Sequence, residues 1–120
     1  MATILLIDDD VSVRETLKDM LESANHSVID AESGLAGLEI FTSRSVDLVV
    51  TDIVMHQGEG LETIMAMKRI DPNVNVIAIS GMPSKKDLLR YAQESGADAT
   101  LEKPVSVGDL LDAVRQFTKT

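Results

Sequence analysis

Three adjacent carboxylates, Asp8, Asp9 and Asp10, follow directly on the apolar residues LLI near the start of the chain. Neighbouring carboxylates repel one another, and each resists removal from water. An apolar segment that ends on such a cluster therefore has two interpretations. The carboxylates cap a helix and carry solvated charge, or they form part of a site that binds a cation.

Other polar side chains end later apolar segments. Asp52 follows LVVT, Ser80 ends NVIAIS, and Lys103 follows the short segment ATLE. If Asp52 lies beside Asp8 and Asp9, their oxygens are the ligands that Mg²⁺ prefers. Lys103 then supplies a positive charge for an anion, and Ser80 supplies a hydroxyl donor. A metal, an ammonium and a hydroxyl around one carboxylate favour phosphoryl transfer to that carboxylate, and Asp52 is the candidate nucleophile.

These side chains need a fold that brings distant segments together, and apolar segments and helical patterns alternate five times along the chain. Strands are predicted at 3–8, 27–31, 47–51, 75–80 and 99–101, and helices at 11–24, 34–44, 61–70, 83–95 and from 106 onwards. Asp10 is a suitable N-cap for the first helix. Alternating strands and helices with continuously aliphatic strands predict a parallel sheet covered by helices on both faces.

The predicted fold class is therefore α/β, a flavodoxin-like three-layer α/β/α sandwich whose five-stranded parallel sheet has the order 2-1-3-4-5. In such sheets ligands bind beyond the carboxyl ends of the strands. Asp8, Asp9, Asp52, Ser80 and Lys103 all lie at those ends, so we expect them to share one crevice.

Four motifs in order, IDD, VTDIVM, AISG and LEKP, resemble the receiver domain of bacterial two-component response regulators. The resemblance covers the whole chain, and the four motifs together are specific although each alone is weak. It implies that Asp52 is the phospho-acceptor, that Asp9 is a direct Mg²⁺ ligand, and that Asp8 assists Asp9, often through water. The backbone carbonyl of Val54 is implied as a further ligand.

The resemblance also implies that Ser80 is the switch hydroxyl, that Lys103 is the lysine that contacts the phosphoryl group, and that the Lys103–Pro104 bond is cis. The sequence departs from the family at Thr100, where an aromatic residue usually changes rotamer during switching. Thr100 cannot bury a ring, so the usual aromatic readout is not expected here.

The function implied by the resemblance is a signalling switch. A sensor histidine kinase or phosphotransfer protein passes a phosphoryl group to Asp52 with Mg²⁺ bound, and the fourth helix, fifth strand and fifth helix transmit the change. The domain is then not a conventional enzyme, since it promotes only its own phosphorylation and dephosphorylation. Family members of this kind act as monomers or as phosphorylation-dependent dimers.

Composition limits the function classes. The 120 residues suit a single receiver domain over 1–120, and no effector domain is expected within the chain, so output requires a downstream protein target or a domain outside it. A net charge of −9 opposes direct binding to nucleic acid or anionic membrane. The absence of cysteine, of a signal peptide and of a transmembrane segment in the sequence predicts a cytoplasmic location.

Three other functions remain open from sequence. A phosphatase using an aspartyl phosphate typically carries a second Asp two residues after the nucleophile, where this chain has Val54. A flavodoxin-like cofactor binder needs a phosphate-binding loop after the first strand, where three carboxylates repel phosphate. A docking module that keeps the receiver fold without phosphorylation is compatible with Thr100.

Overall fold

Strands and helices alternate along the chain as the sequence predicts. The structure is a computed structural model that describes residues 1–53, 60–81 and 85–118. Its elements, in chain order, are β1 Thr3–Ile7, α1 Val11–Ser23, β2 Ser27–Ala31, α2 Gly34–Ser43, β3 Leu48–Asp52, α3 Gly60–Ile70, β4 Asn75–Ser80, α4 Lys85–Ser95, β5 Ala99–Glu102 and α5 Val107–Thr118. None of the helices in these described ranges is long and apolar enough to cross a bilayer.

The five strands form one parallel sheet in the order β2-β1-β3-β4-β5. The predicted flavodoxin-like sheet order is therefore confirmed. β3 lies at the centre, and all of its residues from Leu48 to Asp52 are buried. β2 and β5 lie at the edges and are only partly buried. The residues of β2 are less buried than those of the central strand, which fits the edge position of β2.

The sheet separates two apolar cores, because successive side chains of a strand point to opposite faces. Leu6 packs in the first core with α1 and α5, and Leu5 packs in the second core with α2 and α3. Helix α4 lies against α3 and β5. The fully buried members of the first core include Ile4, Leu6, Leu21, Leu48, Ile77 and Leu110, and those of the second include Leu5, Ile7, Val49, Ile64, Met67 and Val76.

Polar side chains fix the starts of the helices. The carboxylate of Asp10 accepts a hydrogen bond from the backbone N–H of Val13 at 3.1 Å, which confirms its role as the N-cap of α1. Ser33 caps α2 in the same way through the N–H of Ala36. The first helix therefore begins directly beyond the acidic segment, and that segment enters the site from the end of β1.

Candidate functional site

The sequence-predicted side chains lie at the carboxyl edge of the sheet. Asp8 follows the last residue of β1, Asp52 and Ser80 are the last residues of β3 and β4, and Lys103 follows the last residue of β5. The strand register aligns this edge, since Asp52 pairs with Ile79 and Ser80 pairs with Glu102. The backbone N–H of Lys103 donates to the carbonyl of Ser80 at 2.9 Å, which fixes the lysine beside the end of β4.

Three carboxylates meet at this edge. Asp8, Asp9 and Asp52 each place a carboxylate oxygen within 4.8 Å of the others, and we call this cluster the acidic hollow. Asp8 is fully buried, Asp52 is 3% exposed, and Asp9 is half-buried. Carboxylates this close together disfavour one another's charged forms unless a cation lies among them.

Lys103 is one such cation. Its Nζ donates to Asp52 Oδ2 at 3.0 Å and lies 3.4 Å from Asp8 Oδ2. Burial of Lys103 acts to lower its pKa, but the hydrogen bond and charge of Asp52, together with the charge of Asp8, outweigh burial. The pKa of Lys103 is consequently raised, and the side chain stays an ammonium at neutral pH.

The acidic hollow also fits a divalent cation. Asp8 Oδ2 is buried and accepts no hydrogen bond from any described residue, although buried polar atoms are nearly always hydrogen-bonded. The other carboxylate oxygen, Asp8 Oδ1, accepts from the backbone N–H of Asp10 at 2.9 Å. Mg²⁺ sites in proteins are built from oxygen ligands. The three carboxylates of the hollow, one of them with a buried oxygen that accepts no hydrogen bond from the described residues, match that chemistry.

The remaining predicted residues lie at different depths. Ser80 is fully buried at the end of β4, at the same edge as Asp52. Thr100 pairs with Ala78, two residues before Ser80, so it lies back from the edge and is partly buried. Val54 lies outside the described residues. The Lys103–Pro104 bond is cis, as the resemblance implied.

Two contributors were not identified from the sequence. Gly60 begins α3 against the residue that follows Asp52, and a Cβ on Gly60 would lie 2.4 Å from the Cα of Ile53. Arg14 on α1 donates from Nη1 to the backbone carbonyl of Asp8 at 2.8 Å. Gly60 falls one residue before the helix predicted at 61–70, and the sequence alone gives no reason to single out Gly60 or Arg14, because their roles depend on tertiary contacts.

Comparison with known proteins identifies the family. The family described as response regulator receiver domain matches residues 4–115. The chain belongs to the response regulator receiver family. A relative, sporulation initiation phosphotransferase F of Bacillus subtilis, is 30% identical over 114 residues, which cover 95% of this chain and 91% of that protein. Other relatives are longer, and the chain spans 25% of the transcriptional regulatory protein GlrR of Escherichia coli.

Solved structures agree with the family assignment. A receiver domain protein from Clostridium thermocellum superposes with a TM-score of 0.88 at 34% identity, covering 97% of this chain and 93% of that one. The response regulator TrrA from Thermotoga maritima, solved in complex with Mg²⁺ and BeF, gives a TM-score of 0.86 at 28% identity and covers 98% and 99%. Receiver domains are signalling domains of two-component systems. They bind Mg²⁺ at an acidic pocket and accept phosphoryl groups from histidine kinases or phosphotransfer proteins.

Proposed function

We propose that this receiver domain is a phosphorylation-dependent switch in which Asp52 accepts the phosphoryl group. The observation that carries the proposal is the hydrogen bond from Lys103 to Asp52 inside the acidic hollow, at the end of the central strand. A buried carboxylate with an ammonium at 3.0 Å has a cation in place to stabilise charge on an incoming phosphoryl group.

Transfer of the phosphoryl group from the donor to Asp52 needs no further reactant. A carboxylate oxygen of Asp52 attacks phosphorus, a P–O bond forms, and the bond from phosphorus to the donor nitrogen or oxygen breaks with its electron pair going to the donor. Water later hydrolyses the acyl phosphate, which returns the carboxylate and releases inorganic phosphate. The domain turns over no substrate other than its own aspartyl phosphate, so we propose no further enzyme activity.

Asp8, Asp9 and Asp52, with the backbone carbonyl of Val54, are the proposed holders of Mg²⁺. The bound ion supplies positive charge that offsets the carboxylates and the phosphoryl oxygens. Asp8 would contribute its buried Oδ2, because its Oδ1 already accepts a hydrogen bond from the N–H of Asp10. Lys103, at 3.4 Å from Asp8 Oδ2 and 3.0 Å from Asp52 Oδ2, would share both carboxylates with the ion.

Ser80 and Lys103 are the proposed switch residues, because each leads from the hollow into β4 or β5. A shift of the Ser80 hydroxyl toward the phosphoryl group moves the end of β4, and the hydrogen bond from the Lys103 N–H to the Ser80 carbonyl couples that movement to the end of β5. Thr100 replaces the usual aromatic residue on β5, so we propose that strand movement rather than ring rotation carries the change to the surface formed by α4, β5 and α5.

An apolar groove beside Lys103 supports a protein as the phosphoryl donor. The groove has a volume of about 400 Å³ and lies between α1 and the segment that precedes α5, with Val13, Leu17, Met20, Pro104 and Val105 in its lining. Apolar surface next to a phosphorylation site fits the helices of a histidine kinase or phosphotransfer protein.

We propose a cytoplasmic domain comprising residues 1–120, a monomer or a dimer formed on phosphorylation, with a downstream protein or a further domain as its target.

The experiment is phosphorylation by acetyl phosphate with Mg²⁺, followed by mass spectrometry of the intact protein. The wild-type protein should gain the mass of one phosphoryl group, and the Asp52→Asn variant should gain none. Asp112→Asn is the matched control, since Asp112 is exposed on α5 and distant in sequence from the hollow. Equal labelling of wild type and Asp52→Asn would assign the acceptor to another residue, and no labelling of either would leave the unphosphorylated docking module as the better function.

A further inference from the structure

Arg14 links three elements next to the acidic hollow. From α1, its Nη1 donates to the backbone carbonyl of Asp8 at 2.8 Å, and its Nε donates to Asp30 Oδ2 on β2 at 3.0 Å. The Arg14 side chain is 14% exposed, so both contacts are largely shielded from water. A planar guanidinium can hold two acceptors at a fixed angle, which a flexible ammonium cannot do.

These contacts complete the immobilisation of Asp8. Its backbone N–H donates to the carbonyl of Ala31 at 3.2 Å, its carbonyl accepts from Arg14, and its Oδ1 accepts from the N–H of Asp10. Its Oδ2 then faces the acidic hollow, where the Lys103 ammonium lies 3.4 Å away and no described residue donates a hydrogen bond to it. Because the peptide unit is planar, fixing the Asp8 carbonyl also fixes the direction in which the chain continues to Asp9.

Asp30 in turn holds Arg14. Its carboxylate accepts from Arg14 Nε, and its second oxygen lies 3.5 Å from the Lys18 ammonium on the next turn of α1. The Arg14 guanidinium contacts a backbone carbonyl and a carboxylate outside the hollow, so it is a positioning residue and not a ligand. Arg14 and Lys18 share the single charge of Asp30, and Arg14 acts on the geometry of the hollow through its hydrogen bond to the Asp8 carbonyl.

We infer that the Arg14–Asp30 pair sets the metal-binding geometry of Asp8 and Asp9 by clamping the Asp8 carbonyl. The inference rests on the proposed function, because it requires that the acidic hollow binds Mg²⁺. Residues that hydrogen-bond to metal ligands without binding the metal themselves typically change metal affinity roughly ten- to a hundred-fold when they are replaced. Arg14 belongs to that class although it lies on a different element from both ligands.

The test replaces Arg14 by Met, which keeps the length of the side chain and removes both hydrogen bonds. Lys68→Met is the matched control. Lys68 also joins a backbone carbonyl to a carboxylate, at 2.6 Å from the carbonyl of Val74 and 2.8 Å from Asp98, but both partners flank the amino-terminal end of β4, away from the hollow. We expect calorimetric Mg²⁺ titration to give roughly ten-fold weaker binding or more for Arg14→Met, and wild-type affinity for Lys68→Met.

A second measurement uses the metal-free protein. Amide hydrogen exchange across residues 7–13 should be faster in Arg14→Met than in wild type and unchanged in Lys68→Met. Arg14→Lys should recover little of the affinity, because one ammonium cannot reproduce the fixed two-acceptor geometry. Asp30→Asn keeps Arg14 and removes its charge partner, so a several-fold loss of affinity is expected even where Arg14→Met fails to fold.

The outcomes separate this inference from the proposed function. Wild-type affinity in a folded Arg14→Met protein overturns the role of Arg14 alone. Equal weakening in Arg14→Met and Lys68→Met also overturns it, because the loss then follows general destabilisation. A wild-type protein that binds no Mg²⁺ overturns the metal site and this inference together, whereas failure of Asp52 to accept phosphate with Mg²⁺ still bound overturns only the switch.

Discussion

At the carboxyl edge of the sheet, single residues give the buried carboxylates of Asp8 and Asp52 different surroundings. Asp8 and Asp52 are both buried, and Lys103 Nζ lies nearer to Asp52, at 3.0 Å from its Oδ2 against 3.4 Å from Asp8 Oδ2. Asp8 is instead fixed through its backbone and through Oδ1. The two aspartates therefore have different environments although they have the same chemistry, and this difference supports a holding role for Asp8 and an acceptor role for Asp52.

His26 gives the domain a pH dependence at a distance from the hollow. Its Nδ1 accepts a hydrogen bond from the backbone N–H of Ala2 at 3.1 Å, and burial, followed by the positive N-terminus, lowers its pKa from the ordinary value of 6.5. Because the folded pKa is the lower one, the unfolded chain binds the proton first as pH falls. The stability associated with neutral His26 is thus complete above the unfolded pKa and is lost as pH falls through the folded pKa.

We expect the free energy of unfolding to fall between about pH 7.5 and pH 5.5 by more in wild type than in His26→Asn, whose amide oxygen accepts a hydrogen bond without titrating. Urea denaturation at both pH values measures the difference. His56 and all the carboxylates are present in both proteins, so their contributions cancel in the comparison. Identical pH dependence in the two proteins would remove His26 as its source.

At the scale of elements, the close approach of α3 to the end of β3 positions Asp52, the proposed acceptor. Helix α3 begins at Gly60, and the backbone of Ile53, the residue after Asp52, lies where a Cβ on Gly60 would be. Any larger residue at this position must push the helix away from the end of the central strand. The start of α3 therefore fixes the backbone directly after Asp52.

The Gly60→Ala variant should lose roughly 1–3 kcal/mol of unfolding free energy through overpacking, and its phosphorylation by acetyl phosphate should be slower. Gly108→Ala is the control, because Gly108 lies in the first turn of α5 with nothing within 4 Å of an added Cβ. Alanine there should be neutral or stabilising by up to about 1 kcal/mol. Urea denaturation compares the two variants, and equal stability would contradict the tight packing at Gly60.

Local patterns in the sequence predicted the elements, and the rule that ligands bind beyond the carboxyl ends of parallel strands predicted the acidic hollow. Asp52 was found as a carboxylate that ends an apolar segment, although the structure makes it the last residue of β3 through its pairing with Ile79. Arg14 and Gly60 were not found, because their roles depend on which backbone of another element lies beside them. Long polar side chains on a helix usually indicate solvated charge, and only the tertiary contact shows that Arg14 differs.

At the scale of the whole molecule, ligand binding and folding are linked. A cation that binds only the folded chain raises its stability by mass action, by about 2.7 kcal/mol at a hundred-fold excess over Kd. The chain carries a net charge of −9, so Mg²⁺ also screens general repulsion without any specific site. A binding-site variant is needed to separate the two effects.

We expect Mg²⁺ to raise the melting temperature of the wild-type protein relative to protein in EDTA, and Asp9→Asn to lose most of that increase. Asp9→Asn should also be more stable than wild type in EDTA, because it removes one of three mutually repelling carboxylates from the hollow. Thermal denaturation followed by circular dichroism gives the melting temperatures of wild type and Asp9→Asn, each in Mg²⁺ and in EDTA. An equal increase in both proteins would attribute the effect to screening.

The separation of the two apolar cores by a single layer of strands has a consequence for sequence divergence. Leu5 and Leu6 are neighbours in the chain, yet they pack with different helices on opposite faces. A smaller residue at one of these positions leaves space that only a partner on the same face can fill. We therefore expect compensating substitutions among relatives to occur between residues of the same core. Substitutions in one core should be independent of those in the other.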